Sequence, residues 1–566
     1  MILKLFLSSF PQNNSKFLDV EEELFTSKKK KLSLNFNQKN VITNLKKINF
    51  KKFNTILLQG VTGSGKTRVY MHKVREALEK GYQCLILVPE IILTTQWVEE
   101  IKKDFSINIA IYHSSINKKR REQIWSQTNN KKLKLVIGTR SALFLPFSNL
   151  GLIVIDEEHD SSYKQEEQII INARDFAIVR AKNSNCMIIL SSATPSLESF
   201  WNVAQKKFLS FKLSKRFNNS PLPKVQIVDM KKEKNIISTR LVNSIQENIK
   251  NNYQTLIFIN KRGYAPFVIC KSCGFVKSCK NCNTSLVLHD FKNKNSSYFL
   301  CHHCNHKEIF KKVCSKCDSK DNFYYPGLGI EKVYESVEKL FPTAKKCLLS
   351  SDKTKSTTVF KDTISKITSN EIDIIIGTQL ISKGHNFPSL KTVGIINIDN
   401  LISDFNFRSY EKTFQQIIQV GGRAGRVNLD GEVFIQTFQP NHPVMEHCKH
   451  QDVDLFNTWE LKSRKENDHP PFVRQISVIV SSKKERSVIN FSQRIIKLIR
   501  ESFRNLSTFG PAPAILFKKN LKFRYRILIK LNKNFKEQKK IKDFLMKIDV
   551  PKELKLYIDV DPINFI

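Results

Sequence analysis

The segment Gly60-Val61-Thr62-Gly63-Ser64-Gly65-Lys66-Thr67 carries the most specific chemistry in the sequence. It follows a run expected to be a strand, opens a run expected to be a helix, and satisfies the spacing G-x-x-x-x-G-K-[ST] of a phosphate-binding loop. The glycines let backbone N–H groups turn toward phosphate oxygens, and the helix N-terminus adds positive partial charge. Lys66 reaches the β- and γ-phosphates of a nucleotide such as ATP, and Thr67 can ligate Mg²⁺. Further on, the apolar run Gly151 to Ile155 ends in Asp156-Glu157-Glu158-His159. A strand that delivers carboxylates to its C-terminal edge supplies what phosphoryl transfer to water requires: Asp156 to hold Mg²⁺ through water, and Glu157 to orient and deprotonate the attacking water. Taken alone, the acidic tetrapeptide also fits a solvent-facing turn. A third cluster, Gln419-Val-Gly-Gly-Arg423-Ala-Gly-Arg426, puts two arginines three apart, on one helical face, from which they could cross a cleft to a γ-phosphate. The same residues also fit a basic helix start.

Eight of the twelve cysteines form four C-x-x-C pairs: Cys270/Cys273, Cys279/Cys282, Cys301/Cys304 and Cys314/Cys317. Two thiolates two residues apart fit one face of a tetrahedral ion and two pairs complete a Cys₄ site, so eight ligands imply two Zn²⁺. Spacing does not decide which pairs share an ion. His302, His303 and His306 are possible substitute ligands, expected to be bystanders. No export signal is legible, which argues against a disulfide framework. Cys84, Cys186, Cys347 and Cys448 read as buried apolar residues.

These groups need elements to hold them. From Phe53 onward short apolar runs without alternation recur (Thr55 to Gln59, Cys84 to Val88, Leu133 to Ile137, Leu152 to Ile155, Met187 to Leu190), as expected of parallel strands buried on both faces. Amphipathic stretches such as Arg68 to Leu78 lie between them, which predicts βα repeats. A second series (Thr255 to Ile259, Ile372 to Ile376, Val393 to Ile398, Val433 to Thr437) predicts a second α/β lobe. Beyond about Pro440 the texture changes to alternating strands (Gln475 to Val480, Tyr525 to Lys530, Leu554 to Val560) around a helix-like Val488 to Ser502, a separate α+β domain. The expected divisions are a linker over 1–33, a nucleotide-binding lobe over 34–212, a second lobe over 213–440 with a zinc-binding insertion at 266–322, and the C-terminal domain over 441–566.

Composition agrees. The 566 residues exceed one ordinary domain, 41% are hydrophobic, and 93 Lys+Arg against 52 Asp+Glu give +41, so neither a disordered polyelectrolyte nor a membrane protein fits. That charge suits a polyanion such as nucleic acid, although lysine enrichment spread along the whole chain explains it as well. Glycine is scarce, and nine of the 18 fall in four short stretches that include the phosphate loop and Gly421 to Gly425.

Taken in order, Gly60 to Thr67, Asp156 to His159, Ser192-Ala-Thr194, Gly377 to Gly384 and Gln419 to Arg426 resemble superfamily 2 helicases. Gly138-Thr-Arg-Ser-Ala-Leu-Phe144-Leu-Pro-Phe147, Asp156 through Gln165, Lys383-Gly-His385-Asn-Phe-Pro388 and Tyr557 to Pro562 resemble more closely the PriA-type replication-restart helicases, the primosomal protein N′ family, from about Leu34 to the last residues. The resemblance implies two tandem RecA-like helicase lobes. It implies that Gln38, in Leu34-Asn-x-x-Gln38, reads adenine, and that Ser192 to Thr194 couple hydrolysis to movement. Thr139, Arg140, Lys383 and His385 would face DNA, with Phe144 and Phe147 in an aromatic-rich loop that stacks on unpaired bases; from sequence alone the two phenylalanines fit core packing better. It implies nested zinc sites, Cys270, Cys273, Cys314 and Cys317 around one ion and Cys279, Cys282, Cys301 and Cys304 around the other.

Members of this family usually carry an N-terminal DNA-binding domain and a winged helix; with 59 residues before Gly60 both are expected to be absent from this sequence, through either a genuine reduction or a truncated start. Residues and resemblance together predict an ATP-dependent DNA helicase using Mg²⁺ and two Zn²⁺, its 3′ to 5′ polarity implied by the resemblance alone, acting on forked and single-stranded DNA in the bacterial cytoplasm. By resemblance its partners are single-strand-binding protein, other primosome proteins and the replicative helicase loading machinery, with no membrane. The rivals are another superfamily 2 translocase, including an RNA helicase, and a non-catalytic zinc-bearing DNA scaffold.

Overall fold

The continuous apolar runs become parallel strands in the computed structural model of the chain, which describes residues 34–89, 101, 108–166, 169–217, 219–260, 268–280, 285–289, 298–301, 305–324, 330–349, 357–378, 387–403, 406–426, 429–503 and 506–564. Its described residues form two compact units that divide after Asn219.

In the first unit, β1 (Asn54–Gly60), β2 (Gln83–Leu87), β3 (Ile109–Tyr112), β4 (Leu135–Gly138), β5 (Leu150–Asp156), β8 (Met187–Ser192) and β9 (Leu209–Leu213) make one sheet in the order β3-β4-β2-β5-β8-β1-β9. Every pairing in it is parallel. A short ribbon, β6 (Lys164–Gln165) with β7 (Ile171–Asn172), follows β5. The inner strands are buried along nearly their whole length, and their two faces feed two cores, one around Ile56, Val74 and Ile86, the other around Leu57, Ile153 and Ile188. Parallel sheets need helices on both faces, which is why these strands read as unbroken apolar runs. The helix Phe36–Lys46 starts at a capping box in which Asn35 and Gln38 satisfy each other's backbone N–H.

The second unit opens with β10 (Lys224–Asp229) and β11 (Gln254–Ile259). A cysteine-bearing insertion follows, with β12 (Ile269–Cys270) paired to β16 (Phe323–Tyr324), and β13 (Val287–His289), β14 (Tyr298–Leu300) and β15 (Lys307–Ile309) in a small antiparallel sheet. The lobe resumes with β17 (Lys346–Leu349), β18 (Ile374–Gly377), β19 (Leu390–Ile396) and β20 (Glu432–Thr437), giving a second parallel sheet in the order β10-β20-β19-β11-β18-β17. The C-terminal sheet is antiparallel, β22-β23-β21-β24, from β21 (Arg474–Ser482), β22 (Ser507–Lys519), β23 (Lys522–Leu531) and β24 (Lys555–Val560). One face of it packs on the helix Glu485–Ser502.

Two expectations are corrected here. The strand at Gln475 to Val480 is buried throughout rather than alternating, because β21 is central and the second sheet face is also covered: Leu528 and Phe509 pack with Val287 of the insertion and Phe407 of the lobe. Cys347 is only half-buried, being on the edge strand β17; Cys84, Cys186 and Cys448 are buried as expected. Two polar ties join the helix Ser409–Gly421 to the C-terminal segments. Arg464 donates to Glu411 Oε2 at 2.7 Å, and Lys412 Nζ donates to Ile563 O at 3.1 Å and Asn564 Oδ1 at 2.7 Å.

Candidate active site and metal centre

The phosphate loop leaves the C-terminal end of β1 and enters the helix Lys66–Glu79 at Gly65. Gly65 has φ +78°, a left-handed backbone that favours glycine, and a Cβ there would displace the Gln38 amide. Gln38 is fully buried; its Nε2 donates to Ser64 O at 2.9 Å and its Oε1 accepts from Asn35 N at 3.1 Å. The residue expected to read a base is, in this conformation, a strut that fixes the loop. Lys66 Nζ is held by Gly60 O at 2.8 Å and Val61 O at 3.5 Å, an ammonium resting on carbonyls in a loop whose N–H groups suit an anion.

Beyond β9 the chain crosses this loop. Val61 N donates to Leu213 O, Phe217 N donates to Gly63 O at 2.9 Å, the Arg216 side chain lies over Gly63, and the Arg68 guanidinium sits 4.3 Å over the Phe217 ring. Sequence reading missed this strap, since Arg216-Phe217 matches no motif and only the parallel pairing of β9 with β1 brings it there.

Two strands away, β5 delivers Asp156 to the same sheet edge. Asp156 Oδ2 accepts from Tyr70 Oη at 3.0 Å, and Oδ1 accepts from the Glu157 N–H at 3.1 Å. Burial first, then the neighbouring Glu157, push the Asp156 carboxyl up to about 6, while Lys66 pulls it down. A divalent cation at this edge would oppose both upward pressures. Glu157 adopts φ +47°, which turns the chain sharply after the strand. Loop glycines, Lys66, Thr67 and a buried acidic edge fit a nucleotide with Mg²⁺.

The next two residues tie this edge to Ser192-Ala-Thr194. His159 Nδ1 lies 2.7 Å from Ser192 Oγ, which also accepts from Thr194 N at 3.0 Å. The Glu158 side chain is fully buried; it accepts from Arg174 Nη1 at 3.1 Å, from Ser196 N at 2.7 Å and from the Ser196 and Ser199 hydroxyls at 3.1 and 3.0 Å. Sequence reading left Glu158 without a role, and Arg174 and Ser196 carried no signal at all.

Of the residues expected to face DNA, Thr139 is buried and Arg140 Nη1 donates to Lys164 O at 3.0 Å. Phe144 and Phe147 are half-buried against the first unit's core: Phe144 lies 5.2 Å from the Phe176 ring, and the Arg180 guanidinium lies 5.3 Å over Phe147. Packing thus occupies at least part of each ring. Lys383 and His385 lie outside the described residues. In the second unit Arg423 and Arg426 do not share a helical face. The helix stops at Gly421 because successive glycines offer it no side chain and Gly425 turns to φ +61°; Arg423 is buried in the ensuing turn, where Arg426 Nε donates to Gly422 O at 3.1 Å.

In the insertion, the sulfurs of Cys270, Cys273, Cys314 and Cys317 lie within 4.8 Å of one another. Two of the separations are 3.6 Å (Cys270 to Cys317) and 3.7 Å (Cys273 to Cys314). A tetrahedron with Zn–S bonds of about 2.3 Å has edges of about 3.8 Å, so this cluster fits zinc and not a disulfide. Three of the C-x-x-C turns have one backbone pattern: Gly274 N donates to Cys270 O, Asp318 N to Cys314 O and Asn305 N to Cys301 O, each donor having positive φ. Cys279 and Cys301 are buried in the insertion's core, whereas Cys282, Cys304, His302 and His303 lie outside the described residues. His306 Nε2 lies 4.0 Å from Glu308 Oε2.

Two parallel α/β sheets, one bearing a phosphate loop and an acidic strand end, are the parts of a nucleotide-driven enzyme, and the helicase domains they match make it an ATP-dependent helicase. Family models agree: DEAD/DEAH box helicase matches residues 35–201 and Helicase conserved C-terminal domain matches residues 329–428. A third, Primosomal protein N C-terminal domain, matches residues 465–563. The chain is 39% identical over 97% of its length to Replication restart protein PriA of Rickettsia conorii, covering 85% of that protein. It is 41% identical over 90% of its length to the protein of the same name from Rickettsia prowazekii, covering 78% of it, and 35% identical over 87% to that of Bacillus subtilis, covering 61%. The chain belongs to the PriA replication restart family. No helix among the described residues is long and apolar enough to cross a membrane.

Proposed function

We propose that the chain is a 3′ to 5′ DNA helicase that remodels stalled or abandoned replication forks and starts primosome assembly. The observation that carries this reading is the convergence of Lys66 and Asp156 on one sheet edge, in a chain whose relatives are replication restart proteins. Lys66 exchanges the Gly60 and Val61 carbonyls for β- and γ-phosphate oxygens. Mg²⁺, held by Thr67 and Asp156, neutralises developing phosphate charge when bound. Glu157 orients the attacking water and takes its proton, and Arg423 and Arg426 stabilise the transferring γ-phosphoryl group. Gln38 reads adenine with the second Nε2 hydrogen and the second Oε1 lone pair, which its bonds to Ser64 O and Asn35 N leave over.

Thr139, Arg140, Phe144, Phe147, Lys383 and His385 form the strand-facing side, with Arg140 released from Lys164 O and the two rings stacking through their exposed edges. Cys279, Cys282, Cys301 and Cys304 hold a second Zn²⁺; the Cys301 turn, sharing the backbone pattern of Cys270 and Cys314, supports this. The working parts are a first lobe that runs on from 34 to 219 rather than ending at 212, because Leu213 closes β9 and Phe217 bonds to the phosphate loop, then the second lobe to 440 with the insertion 266–322, and the C-terminal domain 441–566. Single-strand-binding protein, other primosome proteins and the loader of the replicative helicase are the partners, in the bacterial cytoplasm. The test is ATPase and strand separation on forked DNA with and without a free 3′ leading-strand end, for the wild type and Lys66→Ala. Both activities should vanish together in the variant; no DNA-stimulated turnover by zinc-replete wild type refutes the reading.

A further inference from the structure

The turn between β22 and β23 is built from residues that do not suit it. Two-residue hairpin turns with φ > 0 at both central positions favour Asn-Gly. Here Lys519 pairs with Lys522, and the two central residues are Asn520 (φ +51°) and Leu521 (φ +59°). A leucine in the left-handed region is strained, and burial does not offset that strain, because Leu521 is 74% exposed. Lys518 and Lys519 are exposed beside it, and facing Lys519 with Lys522 sets like charges opposite each other, a destabilising pairing. Behind the tip the hairpin is stiffened by rings: Phe517 lies 5.4 Å from Phe523 and 5.9 Å from Tyr525, and Lys518 Nζ sits 4.8 Å over Phe523. Strain, exposed apolar surface and clustered positive charge together on a braced tip cost the fold stability and add nothing to its core.

We propose that this hairpin is a nucleic-acid wedge: Leu521 enters a base step of branched DNA while Lys518, Lys519 and Lys522 meet the flanking phosphates. An apolar side chain pushed between bases unstacks them, and backbone contacts offset the lost stacking. Phosphates between the strands' lysines also remove the repulsion that the free hairpin carries. The inference rests on the DNA reading above, and its readout is independent of hydrolysis.

The test uses a forked duplex with 2-aminopurine at the branch, bound without nucleotide by the full chain. The wild type should raise the fluorescence several-fold. Leu521→Gly relieves the backbone strain, so its thermal midpoint should be unchanged or higher, yet most of the fluorescence rise should be lost. Replacing Lys518, Lys519 and Lys522 together by Gln should reduce the log-log salt slope of binding by about 2, at about 0.7 per phosphate contact on single strands. No fluorescence rise with the wild type, a full rise with Leu521→Gly, or an unchanged salt slope overturns the wedge; a tip that instead meets a protein or a second copy of this chain gives those results. DNA-stimulated ATPase, measured separately, reports on the helicase reading alone.

Discussion

Replacing Arg174 by Met tests whether the Glu158 cluster braces the acidic edge. In the native protein, burial, which alone would make the guanidinium easier to deprotonate, is outweighed by Asp175, Glu158 and Glu198, which hold it charged. Its contact with Asp175 is half-exposed and is worth about 0–1 kcal/mol. The contact with Glu158 is different, because that carboxylate has no exposed side-chain surface. Removing one partner of a buried pair costs about 3–5 kcal/mol, chiefly through the uncompensated charge left behind. Three donors remain on Glu158, the Ser196 N–H and the Ser196 and Ser199 hydroxyls, so the expected loss is at the low end, about 3 kcal/mol. For a unit of this size that lowers the unfolding midpoint by about 6–12 °C. In the Arg174→Met, Glu158→Gln double variant the buried charge is gone, and about half of the loss should return. Urea unfolding of the wild type, the two single variants and the double variant closes the cycle. A loss below about 1 kcal/mol for Arg174→Met, or a double variant no more stable than it, refutes the argument.

Gly65→Ala should cost about 1–2 kcal/mol for the left-handed backbone alone and, by displacing Gln38, should abolish ATP binding; a variant that still binds a fluorescent ATP analogue with wild-type affinity contradicts this. His469 stacks on Phe407, and burial first, then Lys530, Arg464 and Arg408, push its imidazole down to about 3. The stability it contributes is therefore complete above its unfolded pKa near 6.5 and is lost as pH falls toward 3, by about 1–2 kcal/mol at pH 5. Glu460 has the opposite sign: burial, partly countered by Arg464, raises it to about 7, so its protonation adds stability as pH falls from about 7. In the wild type the two slopes largely cancel between pH 7 and 5, whereas in His469→Asn only the rising one should remain; urea midpoints whose difference between variant and wild type is the same at pH 7 and pH 5 would exclude the assignment. Cys314→Ser should lower the zinc content by one equivalent and deprotect the Cys270 to Phe275 turn in hydrogen exchange without loss of helix; full retention of metal would rule out the cluster as a zinc site.

The longer strands that sequence reading missed share one position. In the three large sheets β3, β9, β10, β17 and β22 are all edge strands, and of those sheets' six edges only β24 was legible; the two- and three-residue strands of the insertion and of the β6-β7 ribbon were too short to show a pattern. A central parallel strand is covered on both faces and must be apolar throughout, so it announces itself. An edge strand is partly solvated, as in β9 and β10, and its mixed residues resemble loop. The same limit explains the site. Gly60 to Thr67 and the Cys pairs were readable because a phosphate or a tetrahedral ion demands a fixed local spacing. Gln38 as loop strut, the Arg216-Phe217 strap and the Glu158–Arg174–Ser196 cluster join residues far apart in the chain, for which no local pattern exists.

What the sequence determined by itself was therefore local: two α/β lobes, a phosphate loop, an acidic strand end and clustered thiolates, each dictated by chemistry within a few residues. Only the tertiary structure decided that Arg423 and Arg426 leave the helix at Gly421, that Arg216 and Phe217 cross the phosphate loop, and that Leu521 stands exposed on a strained turn. Each of these depends on which distant surfaces remain to cover a side chain, and burial is a property of the whole fold.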